Sequence, residues 1–144
     1  MKSLRLSGYL SEIASKLKDL AVEYNIAVLT FTQVNANAMT QEIMDSGVAA
    51  GSRAIQNKAD VAGVIMPLRR KEQEIADMMM EKYPDKVKPT RVLHLYKMRF
   101  SQVEQGIKIY FHLDLNTGRT KDCFVTTKFD NPYQLQRTRL VYAK

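Results

Sequence analysis

The sequence predicts an α/β domain, in which helices and buried parallel strands are followed by an antiparallel β-meander. Two apolar runs without alternation, residues 26–33 and 60–67, are typical of parallel strands that are covered on both faces. A periodic helical segment precedes the first run, and three strand candidates follow the second. With 144 residues, the chain suits one domain or a part of a larger one.

The first half of the chain supplies the α/β pattern. Residues 7–24 are predicted to form a helix, because their apolar residues recur at spacings of three and four, and Asn25 is a candidate C-terminal cap. The strand "IAVLTFTQ" follows at 26–33, and Pro67 ends the strand "DVAGVIMP" at 60–67. Between them, a small-polar loop is expected to end in a short helix that carries Ile55 and Ala59.

The second half supplies the meander. Residues 69–83 are helical in composition, with a narrow apolar stripe of Ile75, Met78 and Met79. The three strand candidates that follow are "RVLHLYKMRF", "GIKIYFHLDL" and "RTKDCFVTT". The sequence "NTG" at 116–118 predicts a tight turn between the last two. Residues 129–144 are interpreted as a basic C-terminal tail.

Composition narrows the class of function. Formal net charge is +7, from 22 Lys+Arg against 15 Asp+Glu, which favours a polyanionic partner. One cysteine, Cys123, rules out an internal disulfide and a cysteine-rich zinc site, and two histidines make a His-based metal site unexpected. The chain has no apolar run of the roughly 18–20 residues that span a membrane, and its N-terminus lacks a signal-peptide core. A cytoplasmic protein without a structural metal is expected.

The candidate functional residues lie where the predicted strands end, since open parallel sheets bind ligands beyond the carboxyl ends of their strands. Gln33 ends the first strand, and its amide can bond a phosphate oxygen or orient a water; the alternative is that it begins a loop. Lys97 and Arg99 share one face of a strand, about 6–7 Å apart, and can converge on one phosphate. Composition alone favours the alternative, a solvated strand end.

The long loop at residues 34–53 is the other candidate. Its small residues allow a close approach of the backbone, whose N–H groups can hold phosphates; the alternative is a disordered surface loop. The sequence contains no GxxxxGK[ST], GxSxG or HExxH motif, and no carboxylate pair with evident acid/base spacing. A self-contained catalytic apparatus is therefore not predicted.

Four segments, in order, resemble the C-terminal part of the ATPase domain of DnaB-type replicative helicases and of the related phage and mitochondrial helicase-primases. These segments are "YLSEIASKLKDLAVEYNIAVLTFTQVN", "SGVAAGSRAIQNKADVAGVI", "LYKMRFSQVEQG" and "IKIYFHLDLNTGRTKD". The resemblance runs from about residue 7 to residue 127. It implies a partial RecA-like (P-loop NTPase) fold over residues 1–128 that lacks the P-loop and the Walker B aspartate.

The resemblance also implies roles for particular residues. Gln33 falls on the family's γ-phosphate sensor. Lys97 and Arg99 fall on the pair that reaches ATP bound by the neighbouring subunit, an arginine finger in trans. The loops that track single-stranded DNA in the family match five residues of this chain: Asn35, Asn37, Gly51, Ser52 and Arg53.

The sequence departs from the family near the adenine. Many family members place an arginine at the end of the second buried strand, where this chain has Pro67. Arg69 or Arg70 is the candidate replacement, and Tyr110 is a candidate to stack on the base. The implied ligands are ATP and Mg²⁺, which the family binds mainly through parts that this chain lacks.

The implied function is that of a segment of an ATP-dependent, hexameric replicative DNA helicase. The implied partners are single-stranded DNA, neighbouring subunits of a homohexameric ring, and a primase or a helicase loader. The isolated chain is predicted not to hydrolyse ATP. Two alternatives remain open from the sequence: another RecA-like ATPase, of the recombinase or clock type, and a non-catalytic DNA-binding module.

Overall fold

The computed structural model describes residues 2–34, 40, 41, 44, 53–99 and 106–132. Its elements, in chain order, are α1 (Lys2–Glu23), α2 (Arg53–Lys58), β1 (Val61–Pro67), α3 (Arg70–Lys82), β2 (Arg91–Met98), β3 (Ile107–Leu113) and β4 (Thr120–Thr126). The chain divides into two compact units. Unit 1 comprises residues 1–64 and 94–106, and unit 2 comprises residues 65–93 and 107–144.

The strands form one four-stranded sheet in the order β1-β2-β3-β4. β3 and β4 are antiparallel, in a register that runs from Lys108 opposite Thr126 to Leu113 opposite Thr120. Each strand therefore lies beside the strand that precedes or follows it in the chain, which is the arrangement of a meander.

The other neighbours in the sheet are antiparallel as well. The Thr90 N–H donates to the Phe111 carbonyl at 3.0 Å, so the beginning of β2 lies beside the end of β3. The Arg99 N–H donates to the Asp60 carbonyl at 2.7 Å, so the end of β2 lies beside the beginning of β1. The predicted RecA-like α/β fold with parallel strands is therefore wrong for this structure, whose sheet is antiparallel throughout.

The apolar run at residues 26–33 is the clearest departure from the sequence-based prediction. It was expected to be a buried strand, but it belongs to no strand and all its residues are exposed. Leu29 and Phe31 are 80% and 79% exposed. The pattern predicts burial on two faces, but within the described part of the chain no strand pairs with this segment and no layer covers it.

β1 also differs from the predicted strand at 60–67. It forms, but as the first strand of the sheet rather than as a central one. Val64 and Met66 are buried, whereas Val61 and Ile65 are more than half exposed. This alternation shows that only one face of β1 is covered, so its apolar residues on the other face meet solvent.

α1 ends as its sequence predicts. Asn25 has a left-handed backbone, with φ 49°. The Asn25 N–H donates to the Val22 carbonyl at 3.4 Å, and the Ile26 N–H donates to the Ala21 carbonyl at 3.0 Å. This is the Schellman arrangement, which satisfies two of the last carbonyls of the helix. The predicted cap at Asn25 is confirmed, although α1 begins five residues before the predicted start at residue 7.

In unit 2, the predicted hairpin turn is confirmed. Gly118 has φ +67°, and its N–H donates to the Asp114 carbonyl at 2.8 Å. The Asp114 side chain accepts from the Asn116 N–H and the Thr117 hydroxyl, at 2.9 and 2.8 Å. These hydrogen bonds lower the pKa of Asp114, the Thr117 hydroxyl contributing most.

Two glycines are expected to respond to alanine with opposite signs. An added Cβ at Gly118 meets no atom but is forced into the left-handed region, which costs about 1–2 kcal/mol of unfolding free energy. An added Cβ at Gly8, inside α1, also meets open space, and alanine there stabilises by up to about 1 kcal/mol. Urea unfolding of Gly118→Ala and Gly8→Ala checks both signs. Equal effects would contradict the strain assigned to Gly118.

Cys123 lies at an irregularity in the β3–β4 pairing. Tyr110 is opposite Phe124, and Phe111 is opposite Asp122, so Cys123 is an extra residue in β4, as in a β-bulge. The thiol is buried and donates to the Val87 carbonyl at 3.1 Å. Burial raises the pKa of this thiol and so keeps it protonated.

Candidate functional site

The two cations that the sequence singles out lie in unit 1, where β2 ends. The Lys97 ammonium donates to the Gln56 carbonyl, and the Arg99 guanidinium donates to the Asn57 carbonyl at 2.8 Å. Both carbonyls belong to the last turn of α2. The last carbonyls of a helix lack partners within it and carry partial negative charge, so they attract cations. Both side chains therefore reach the same helix end.

A carboxylate and a third cation complete this group. Asp60, between α2 and β1, accepts a hydrogen bond from the ammonium of Lys18 on α1. That hydrogen bond lowers the pKa of Asp60, and the nearby charges of Arg99 and Lys97 lower it further. We call Lys18, Asp60, Lys97 and Arg99 the cationic cluster. It sets three cations against one carboxylate.

Lys97 is the member of the cationic cluster whose charged form is disfavoured by its surroundings. Its side chain is half-buried, and the pKa of its ammonium is lowered, first by burial and then by repulsion from Arg99. Its hydrogen bond goes to a neutral carbonyl rather than to a carboxylate. An anion between Lys97 and Arg99 would replace neutral acceptors with charged ones, which form stronger hydrogen bonds, and would offset the repulsion.

Gln56 is a functional candidate that the sequence did not indicate. It is 5% exposed, and neither its side-chain oxygen nor its side-chain nitrogen has a hydrogen-bond partner within the described part of the chain. Its main-chain carbonyl is the acceptor for Lys97. Lys18 and Asp60 were missed as well, because no local pattern separates them from other charged residues. Only the packing of α1, α2 and the start of β1 brings them together.

The other residues predicted to contact phosphate or DNA lie outside the cationic cluster or outside the described residues. Gln33 lies in the exposed segment that follows α1. Arg53 is the first residue of α2. The other predicted DNA contacts lie outside the described residues; these are Asn35, Asn37, Gly51 and Ser52. Their roles stay predictions.

The predicted adenine contacts lie in unit 2, where their side chains engage other protein groups. The Arg69 guanidinium binds the buried carboxylate of Glu72, with Nε 2.9 Å from Oε2, and the same carboxylate accepts the Arg69 N–H at 3.0 Å. Tyr110 is fully buried, and its ring stacks on Phe124 with centroids 4.3 Å apart. Arg70 is 94% exposed at its side chain and pairs with Glu74. Of these three, only Arg70 presents its side chain to solvent.

Tyr110 gives a pH-dependent prediction. Burial, followed by the carboxylates of Asp130 and Glu72, raises the pKa of its hydroxyl above the ordinary value. A group whose pKa is raised by folding stabilises the fold below its unfolded pKa and loses that contribution as pH rises. Above about pH 10, the wild-type chain should therefore lose stability relative to Tyr110→Phe. Urea unfolding of both chains at pH 7 and pH 11 checks this, and parallel losses would contradict it.

Unit 2 also contains a buried ion pair. Lys108 on β3 and Asp130, in the turn after β4, have side chains 6% and 9% exposed, and the ammonium donates to the carboxylate. Asp130 has a left-handed backbone, with φ 68°. The exposed cation Lys71, on α3, is 3.4 Å from the second oxygen of Asp130. The pair therefore holds the turn after β4 to the middle of the sheet and to α3.

Other site types are not found in the described part of the chain. There, no group of three or more His, Cys, Asp or Glu side chains is placed to hold a metal ion. No helix within those residues combines the length and the apolar character needed to cross a bilayer.

The sequence is similar to one prophage protein. It is 32% identical over 135 residues to the SPbeta prophage-derived uncharacterized protein YorI of Bacillus subtilis (strain 168). The match takes in 90% of this chain but 26% of that protein, so the chain spans about a quarter of the relative's length. No family model matches the chain, and no solved structure matches it.

Proposed function

We propose that this chain is a segment of an ATP-dependent, ring-forming DNA helicase, in which Lys97 and Arg99 contact the γ-phosphate of ATP held by a neighbouring subunit. The observation that carries the proposal is the cationic cluster. It places two cations side by side, bonds them to neutral carbonyls and leaves their charge in excess over Asp60. The assignment to a ring-forming DNA helicase depends on the resemblance of four sequence segments to replicative helicases.

The chemistry of the cationic cluster fits a transferred phosphoryl group. Charge develops on the oxygens of that group, and catalysis comes mainly from positioned positive charge. Arg99 brings a rigid fork of donors and Lys97 a mobile point charge, so they can bind different oxygens of one phosphate. The carbonyls at the end of α2 position both cations, and the Asp60 carboxylate lies near enough for their charges to lower its pKa. ATP and Mg²⁺ would be held mainly by residues outside this chain.

Two further points support the proposal. The formal net charge of +7 suits a polyanionic partner such as single-stranded DNA. The prophage origin of the similar protein agrees with the resemblance to phage helicase-primases. Assembly as a homohexameric ring, engagement of a primase or loader, and a cytoplasmic location would follow from this role.

A chimera tests the function. The prophage protein is prepared with its 135 matching residues replaced by this chain. ATP turnover, with and without single-stranded DNA, and unwinding of a forked duplex are then measured for the chimera and for this chain alone. The proposal expects DNA-stimulated turnover and unwinding from the chimera and neither from the isolated chain.

Three outcomes would count against the proposal. ATP hydrolysis by the isolated chain would contradict the proposal, which assigns the residues that hold the phosphates to polypeptide outside this chain. ATP-dependent DNA pairing without unwinding would favour a recombinase-type ATPase. If the isolated chain binds DNA equally well with and without ATP, and the chimera does not hydrolyse ATP, a non-catalytic binding module is favoured.

A further inference from the structure

One side of α1 carries an apolar stripe that faces solvent. Tyr9, Ile13, Leu20 and Tyr24 recur at spacings of four, seven and four residues, which places them on one side of a helix. Their exposed fractions are 66%, 52%, 42% and 62%. Tyr24 follows the last residue of α1 but continues its path, since its N–H donates to the Leu20 carbonyl at 3.0 Å.

The other side of α1 is already occupied. α1 contacts α2, and Ala14 is 7% exposed. The apolar face of α1 is therefore wider than the part that α2 covers, while Glu12, Lys16 and Asp19 take the polar side of the helix. An apolar face left open in this way indicates a surface that further polypeptide can cover.

The apolar surface continues into the segment that follows α1. Ile26 and Val28 are 54% and 40% exposed, and Leu29 and Phe31 are more exposed still. In an extended chain, the even-numbered and the odd-numbered side chains point to opposite sides. Apolar groups are thus exposed on both sides of the segment, and contiguous apolar surface of this kind marks an interaction site.

We infer that the stripe on α1 and residues 26–34 form a docking face for further polypeptide of a longer protein, of the kind represented by the prophage relative. That relative extends well beyond the match, which takes in 26% of it, so it has chain available to cover this face. A second copy of this chain meeting the face from one side would cover one set of side chains and leave the other in water. Chain from the same protein can flank the segment on both sides.

Hydrogen exchange tests the inference. Amide exchange of residues 26–34 is measured in the isolated chain and in the chimera with the prophage protein. The inference expects exchange in the chimera to slow by about a hundredfold or more, because amides pass from an open segment into a packed one. Equal exchange in the two proteins would overturn it.

Matched substitutions make the test specific. Leu29→Asp with Phe31→Asp places two charges on the docking face, and Leu115→Asp with Phe129→Asp makes the same changes at exposed positions of unit 2. In the isolated chain, both double variants should unfold at the same urea concentration as the wild type. In the chimera, only the first should lose the slowed exchange.

Two further measurements cover a dimeric isolated chain and an insoluble chimera. If the isolated chain is a dimer by sedimentation and the first double variant is a monomer, the occupant is a second copy and the inference is wrong. If the chimera is insoluble, this chain is coexpressed with a tagged remainder of the prophage protein. Copurification of the wild type but not of the first variant supports the inference, and copurification of neither overturns it. None of these measurements depends on ATP turnover.

Discussion

Replacing Arg99 with alanine, in a full-length protein that contains this chain, is expected to lower ATP turnover by about 10³-fold or more, the usual effect of losing an arginine finger. Nucleotide binding should be largely unchanged, because under the proposed function Arg99 would act on ATP held by another subunit. The cause is the loss of a rigid, charged fork from the end of β2, where Arg99 donates to the Asn57 carbonyl.

Two controls separate catalysis from folding. Arg119→Ala removes an exposed arginine from the turn before β4 and should leave turnover unchanged. Rings assembled from wild-type and Arg99→Ala subunits should lose activity together, since each site would need a finger from its neighbour. If Arg99 serves only to bond the end of α2, the variant will turn over ATP normally and lose only a little stability.

Asp130→Asn is expected to cost the most in stability, about 3–5 kcal/mol of unfolding free energy, the usual effect of breaking a buried ion pair. Asparagine has the same size as aspartate and tolerates the left-handed backbone that Asp130 adopts, so the change removes charge and little else. It leaves the Lys108 ammonium, which is 6% exposed at its side chain, without its carboxylate.

The exposed pair between Lys88 and Asp77 is the matched control. Its side chains are 60% and 57% exposed. Asp77→Asn should therefore cost less than about 1 kcal/mol, as surface ion pairs do. Adding Lys108→Met to Asp130→Asn should recover part of the loss, because the buried ammonium that lost its carboxylate is then removed as well. Urea unfolding of the wild type and the three variants measures both effects, and equal losses from Asp77→Asn and Asp130→Asn would contradict the assignment.

Local signals in the sequence predicted much of the secondary structure. Asn25 and Gly118 lie where a left-handed residue is needed, and the chain turns at both. Helix periodicity identified most of α1 and α3, and alternation with turn residues identified β2, β3 and β4. These features depend on neighbours within a few residues, which a single sequence displays.

The fate of the two apolar runs, residues 26–33 and 60–67, could not be predicted in the same way. An uninterrupted apolar run indicates that a segment is suited to burial. It does not indicate whether the helices or strands that would cover the segment lie within the same chain. Residues 26–33 carry that pattern and stay exposed, and β1 carries it with one face covered. The cationic cluster was predictable only in part, for the same reason. Lys97 and Arg99 stand out as a pair in the sequence, whereas Lys18, Gln56 and Asp60 come near them only through tertiary packing.

Cys123 has a practical consequence, because the chain holds a single thiol and it lies in unit 2. An alkylating reagent has one target here, and that target is shielded until the β3–β4 hairpin opens. The rate of alkylation therefore times the opening of that hairpin without any engineered label. A probe attached elsewhere, on a cysteine introduced after Cys123→Ser, would time unit 1 separately and reveal whether the two units open together.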